Sequence, residues 1–136
     1  MFINNWQFQI LVVQIWNPKN QIELQPSFPN TDFIAILNYH TSENGGRKTP
    51  AFSGYRPQVK FDFDPSQTSG QQNFIDKTVV YPGETVTAAI RIIGVEYFAG
   101  RLDEDMLFDF REGSRIIGIG RIIQIINHAL RRPASR

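Results

Sequence analysis

Apolar and polar residues alternate with a period of two along most of the chain, the spacing of strands that turn one face to a core. Trp6, Phe8, Ile10 and Val12 alternate with Gln7, Gln9 and Leu11, and Asn17-Pro18-Lys19-Asn20 supplies a turn before Ile22 and Leu24. Residues 5–25 therefore read as a hairpin, ended by Pro26 and Pro29. Phe33 to Tyr39 reads as a strand, and a long polar loop, residues 40–56, follows it. Val59, Phe61 and Phe63 alternate with Lys60, Asp62 and Asp64, which predicts a strand with one apolar face. Residues 64–72, DPSQTSGQQ, read as a loop. Val79 to Tyr81 leads into the turn Pro82-Gly83-Glu84, and Val86 to Ile93 forms a further strand. Asp103-Glu104-Asp105 sits in a connector before two closing strands, Met106 to Phe110 and Arg115 to Ile126. The end, NHALRRPASR, reads as loose. Strands this short, separated by turn residues, favour an all-β closed barrel or sandwich over a fold of alternating strands and helices.

Composition narrows the function classes. A chain of 136 residues predicts a single core, and 41% hydrophobic residues with 11 Phe predict a packed one. With no cysteine, disulfides, thiolate metal sites and a cysteine nucleophile are excluded. The N-terminus lacks a basic leader, and Gln7, Gln9 and Gln14 interrupt its apolar part, so a cytoplasmic protein that neither enters a membrane nor is exported is expected. Net charge is +1, from 14 Lys and Arg against 13 Asp and Glu, so no field of the whole molecule draws it to a polyanion.

The densest cluster of special residues is ENGGRKTPAFSGYRPQ, residues 43–58. A phosphate loop needs G-x-x-x-x-G-K-[ST] before a helix; Ser42 stands at the first glycine position, Pro50 follows, and no helical pattern comes after. GSRIIGIGRI offers Gly118 and Gly120 but has Ile123 at the third dinucleotide position, and glycines at a strand bend or bulge explain it better. His40 and His128 have no second ligand at i+2 or i+4, so no metal is expected. Asp62 and Asp64 read as the solvated face of their strand rather than a catalytic pair, and Asp103-Glu104-Asp105 as a solvated connector rather than a calcium loop. No serine lies in a G-x-S-x-G elbow. Neither enzymatic activity nor a cofactor is expected.

Three ordered stretches carry a resemblance. GGRKTPAFSGYRPQ (45–58), YPGETVTAAIRI (81–92) and LDEDMLFDFREGSRIIGIGRI (102–122) resemble, in order and near their usual spacing, the third, C-terminal domain of elongation factor Tu, the translational GTPase that delivers aminoacyl-tRNA. The likeness spans residues 31–127 and implies a six-stranded antiparallel closed β-barrel. Residues 1–30 would then be an extra N-terminal β-hairpin packed on the barrel, and 128–136 a flexible basic tail carrying Arg131, Arg132 and Arg136.

The resemblance also implies a binding module. The family's tRNA-facing positions fall on Lys48, Gln58, Thr68 with Ser69, Glu112 and Gly113, flanked by Arg47 and Arg56. Such groups suit contact with phosphate and 2′-OH rather than base reading. No GTPase domain precedes residue 1 in this chain, so GTP binding is not expected of it. Two readings follow. In one, the chain docks on a protein, a translational GTPase or a second copy of itself, with Trp6, Phe8 and Trp16 of the hairpin as apolar contacts. In the other, it contacts tRNA or another structured RNA through residues 45–58 and Glu112-Gly113. Near-neutral charge and Asp62 favour the first; Lys48, Gln58 and Glu112 favour the second. For Arg111 and Arg115 the plain alternative is pairing with Asp109 or Glu112 to stitch strands together.

Overall fold

The computed structural model describes residues 28–134, together with the backbone of β1 (Val13–Trp16) and β2 (Ile22–Gln25). Those two strands pair antiparallel, Val13 with Gln25 and Trp16 with Ile22, which is the expected hairpin. Trp6 and Phe8 lie outside the described residues, and of Trp16 only its backbone place at the end of β1 is described.

Six strands form a closed antiparallel barrel in the order β10 (Arg115–Ile125), β3 (Phe33–Tyr39), β8 (Thr85–Ile92), β6 (Thr68–Phe74), β5 (Gln58–Phe61) and β9 (Leu107–Glu112), with β9 returning to β10. A two-stranded ribbon of β4 (Ala51–Phe52) and β7 (Val79–Val80) stands beside it. Closure removes the exposed edges that a sheet of this size would otherwise present. Period two decides which side chains fill the barrel. Phe33, Ala35, Leu37 and Tyr39 of β3 point in, as do Val59 and Phe61 of β5 and Phe108 and Phe110 of β9. The rings meet edge to face or tilted: Phe33 and Phe108 at 5.7 Å, Phe61 and Phe108 at 5.5 Å, Tyr39 and Phe110 at 4.9 Å between centroids. Gly118 and Gly120 of β10 make room for this packing, since a Cβ on either would overlap the ring of Phe110 or Phe108. The ladder shifts register between Ile116 and Gly118, so the bulge that the glycines predicted is present.

Three expectations are corrected. Residues 68–74 form strand β6 rather than the end of a loop. Its inward positions are Gly70, Gln72 and Phe74, so two of the three carry no apolar side chain and the hydrophobic alternation is invisible. Gly70 is required where it passes Val59, whose methyl group a Cβ would strike; Gln72 is buried and accepts a hydrogen bond from the Tyr39 hydroxyl.

The strand through Val59 stops at Phe61, and Asp62 and Phe63 turn the chain instead of continuing it. Asp64 N donates to Phe61 O at 3.3 Å, and the Asp64 carboxylate accepts from Ser66 N at 2.8 Å, so Asp62 and Asp64 share no strand face. That bond from Ser66 leads the causes that hold the Asp64 carboxyl below its usual value.

The end of the chain is packed as far as Arg132 rather than loose. Asn127 caps a 3-10 turn, His128–Leu130, and Leu130 is buried. Leu102 N donates to Leu130 O at 2.8 Å, and Arg132 N to Leu102 O at 2.7 Å. Arg131 grips Glu104 with both terminal nitrogens, at 2.6 Å to Oε1 and 2.8 Å to Oε2, and Oε2 also accepts from Ile125 N at 2.9 Å. The acidic connector is thus a latch for the C-terminal segment. The hydrogen bond from Arg131 leads the causes that pull the Glu104 carboxyl down to about 2.

Candidate binding surface

The opening glycines of residues 45–58 are there for the backbone. Gly45 closes the 3-10 turn Ser42–Asn44 with φ +87°, a conformation that other residues adopt at a cost. Gly46 presses against the His40 carbonyl so closely that no Cβ fits. The loop is thereby folded back onto the barrel mouth, which brings Arg47 to the end of β9.

There Glu112 holds three partners. Arg47 pairs with its Oε2, the Tyr55 hydroxyl donates to the same oxygen, and Arg115 Nη2 donates to Oε1 at 2.9 Å. Arg47 is held further: its guanidinium lies 4.6 Å from the Tyr55 ring centre and donates to Thr49 O at 3.2 Å and to Pro50 O at 3.3 Å. Burial works against the Glu112 anion, but the Tyr55 hydrogen bond and the Arg47 charge outweigh it and hold the carboxyl below its usual range. Burial, with the bond to Glu112 second, pushes the Tyr55 phenol up, so it stays a donor. Arg111 chelates Asp109, Nε to Oδ1 at 2.6 Å and Nη2 to Oδ2 at 2.9 Å. Both arginines are therefore paired to acids as the plain alternative has it, Arg115 across the β9–β10 turn and Arg111 within β9 itself.

The remaining predicted positions fall on the same flank of the barrel. Gln58 on β5 sits between Ser69 of β6 and Arg111 of β9 in the ladder. Thr68, opposite Val59, donates its hydroxyl to Ile93 O. Gly113 makes the β9–β10 turn with φ +62°. Lys48 and Arg56 are exposed, and their side chains have no hydrogen bond or ion pair among the described residues. The predicted set is thus brought together on one flank, but its chemistry divides: Arg47 and Glu112 neutralise each other, while Lys48 and Arg56 stay available.

Two groups went unforeseen. Tyr55 completes the Glu112 clamp, and its neighbours in sequence, Gly54 and Arg56, give no sign of it. Arg91 on β8 lies directly opposite Gln71 of β6, exposed, and borders a cleft of about 160 Å³ with Arg56, Gln71 and Ile93. Its one signal in sequence is a charge at an outward position of an otherwise apolar strand, TVTAAIRI.

The two histidines stand at opposite ends of the β3–β10 ladder, His40 just after Tyr39 and His128 three residues past Ile125. That is on the order of 20 Å at strand rise. No group of three or more metal-ligating acids and histidines is present among the described residues. No helix among them is long and apolar enough to cross a membrane. No protein-family model matches the chain.

Proposed function

We propose that the chain is a non-catalytic binding module, similar in sequence to the third domain of elongation factor Tu, that docks on a protein: a translational GTPase or a second copy of itself. The observation that carries this reading is the internal neutralisation of the arginines on the predicted surface. Arg47, Arg111 and Arg115 are each paired to an acid of the same flank, so few cations are left to follow a phosphate backbone. Phe52 of the β4–β7 ribbon and Tyr81 just after β7 are 65% and 53% exposed, the kind of aromatic contact that protein interfaces favour.

The second reading, contact with tRNA or another structured RNA, rests on Lys48 and Arg56, which keep free charges next to Gln58. One set of titrations separates the two. Sedimentation of the chain alone tests self-association, and calorimetric titration against a translational GTPase loaded with GDP or with a GTP analogue tests docking. The protein-docking reading expects saturable association in one of these that weakens with salt far less steeply than binding to a phosphate backbone would. Absence of both, with tRNA binding that weakens on Lys48→Ala and steeply with salt, would replace it with the RNA reading.

A further inference from the structure

Three hollows meet along the last residues of β8. Arg91 borders both the 160 Å³ cleft and a wider polar hollow lined by Asn30, Thr31, Asp32 and Asn127. Ile93 joins the cleft to a pocket of about 260 Å³ whose walls include Thr68, Gly94, Tyr97 and Phe98. Ile93 and Tyr97 are 58% and 69% exposed, so this pocket is an apolar step open to solvent beside two arginines.

The charges there are unbalanced. Neither the Arg56 nor the Arg91 guanidinium makes a hydrogen bond or ion pair among the described residues, in contrast to Arg47, Arg101, Arg111, Arg115, Arg121 and Arg131. Asp32, which lines the wider hollow with Arg91, is buried and accepts from Ile92 N at 2.8 Å and Asn127 Nδ2 at 3.1 Å, not from Arg91. Asp64, on the rim of the apolar pocket, is held by Ser66 N and by Arg101 at 3.3 Å. Two forked cations and the Gln71 amide thus face one cleft, and no acid among the described residues pairs with either cation.

We infer that this composite groove takes an acidic peptide segment of a partner, a carboxylate between Arg56, Gln71 and Arg91 and a large apolar side chain in the pocket walled by Ile93, Tyr97 and Phe98. The inference rests on the protein-docking reading and gives that partner its chemistry. The two hollows are each smaller than a typical small-molecule site and suit single side chains. In an extended peptide the side chains at i and i+2 share a face, so an apolar residue and an acid two positions apart reach both hollows together. A polyanion fits less well: Asp64 lines the pocket end, and Arg111, opposite Gln58 in the ladder, is already chelated by Asp109.

The test is a nitrogen-15 amide titration of the whole chain with the tripeptide acetyl-Phe-Ser-Glu-amide, its acetyl-Phe-Ser-Gln-amide counterpart, inorganic phosphate, and tRNA. Expected are saturable shifts at Gln71, Arg91, Ile93, Gly94 and Tyr97 with a Kd on the order of 1 mM, as befits a two-residue contact. Arg56→Gln, Arg91→Gln and the neutral tripeptide should each weaken binding at least about fivefold. Both variants alter exposed side chains, so their amide spectra should otherwise overlay the parent. Equal binding of the neutral tripeptide, or no saturation, rejects the groove as an acid site; tRNA moving the same amides at far lower concentration reassigns it to nucleic acid. Docking on a GTPase or self-association without any tripeptide shift rejects the groove and leaves the docking module; loss of both rejects the module itself.

Discussion

Two sets of arginines lie on this barrel, and their circumstances are opposite. Arg47, Arg111 and Arg115 are bound to Glu112 and Asp109, whereas Arg56 and Arg91 face an open cleft without an acid partner. In sequence they look alike. The difference comes from what the fold sets beside each: the doubled glycine turns Arg47 back onto β9, and the ladder seats Arg91 against a glutamine instead of a carboxylate. A basic residue in a motif therefore marks architecture as readily as recognition, and only its neighbours decide which.

The largest effect should come from breaking the clamp. Glu112→Ala leaves Arg47, Tyr55 and Arg115 without their acceptor, and the first two are partly buried. A loss of about 2–3 kcal/mol is expected by urea unfolding, because removing one partner exposes the desolvation cost of the others. Arg47→Ala should cost less, about 1–2 kcal/mol, since Tyr55 and Arg115 still satisfy the carboxylate. A Glu112→Ala protein as stable as the parent would mean that the clamp is incidental to the fold and that Arg47 belongs with the available cations.

How much of this was legible follows from what alternation can encode. Strand β3 was legible to its last residue because Phe33, Ala35, Leu37 and Tyr39 are apolar and inward. Strand β6 was hidden because the barrel asks for a small residue at 70, where Val59 leaves no room, and for an acceptor at 72, where Tyr39 needs one. Both demands come from other strands. The same holds for the site: the loop glycines and the basic residues were visible, but the pairing of Arg47 with a glutamate 65 positions away was not. Nor was the meeting of Arg56 with Arg91, which depends on β6 lying between β5 and β8.

The latch at the other end of the barrel offers an intermediate case, an ion pair that is neither half-buried nor open. Glu104→Gln should destabilise by about 0.5–1 kcal/mol, the range of surface pairs, because Arg131 loses the charge but Ile125 N keeps an acceptor. The pH dependence carries a clear sign. The folded-state carboxyl is pulled down to about 2 from 4.5, so its contribution is complete above pH 4.5 and is lost as pH falls toward 2. The parent should lose stability through that window, and Glu104→Gln should lose less. Parallel acid curves for the two proteins would show that the pair adds nothing.

The smallest effect on stability is the one that separates the two sets of arginines most sharply. Arg56→Ala, Arg91→Ala and Lys48→Ala remove exposed groups that pair with no acid among the described residues, so each should change unfolding free energy by no more than about 0.5 kcal/mol. Where Arg91→Ala relieves repulsion from Arg56 across the cleft it should stabilise slightly, and raising salt in the parent should stabilise by a similar amount, through screening of the same pair. A cation that costs nothing to remove from the free protein, yet is held close to another cation, is kept for something outside the fold. If either arginine proved as costly to remove as Arg47, it would have an internal partner, and the contrast on which the docking groove rests would collapse.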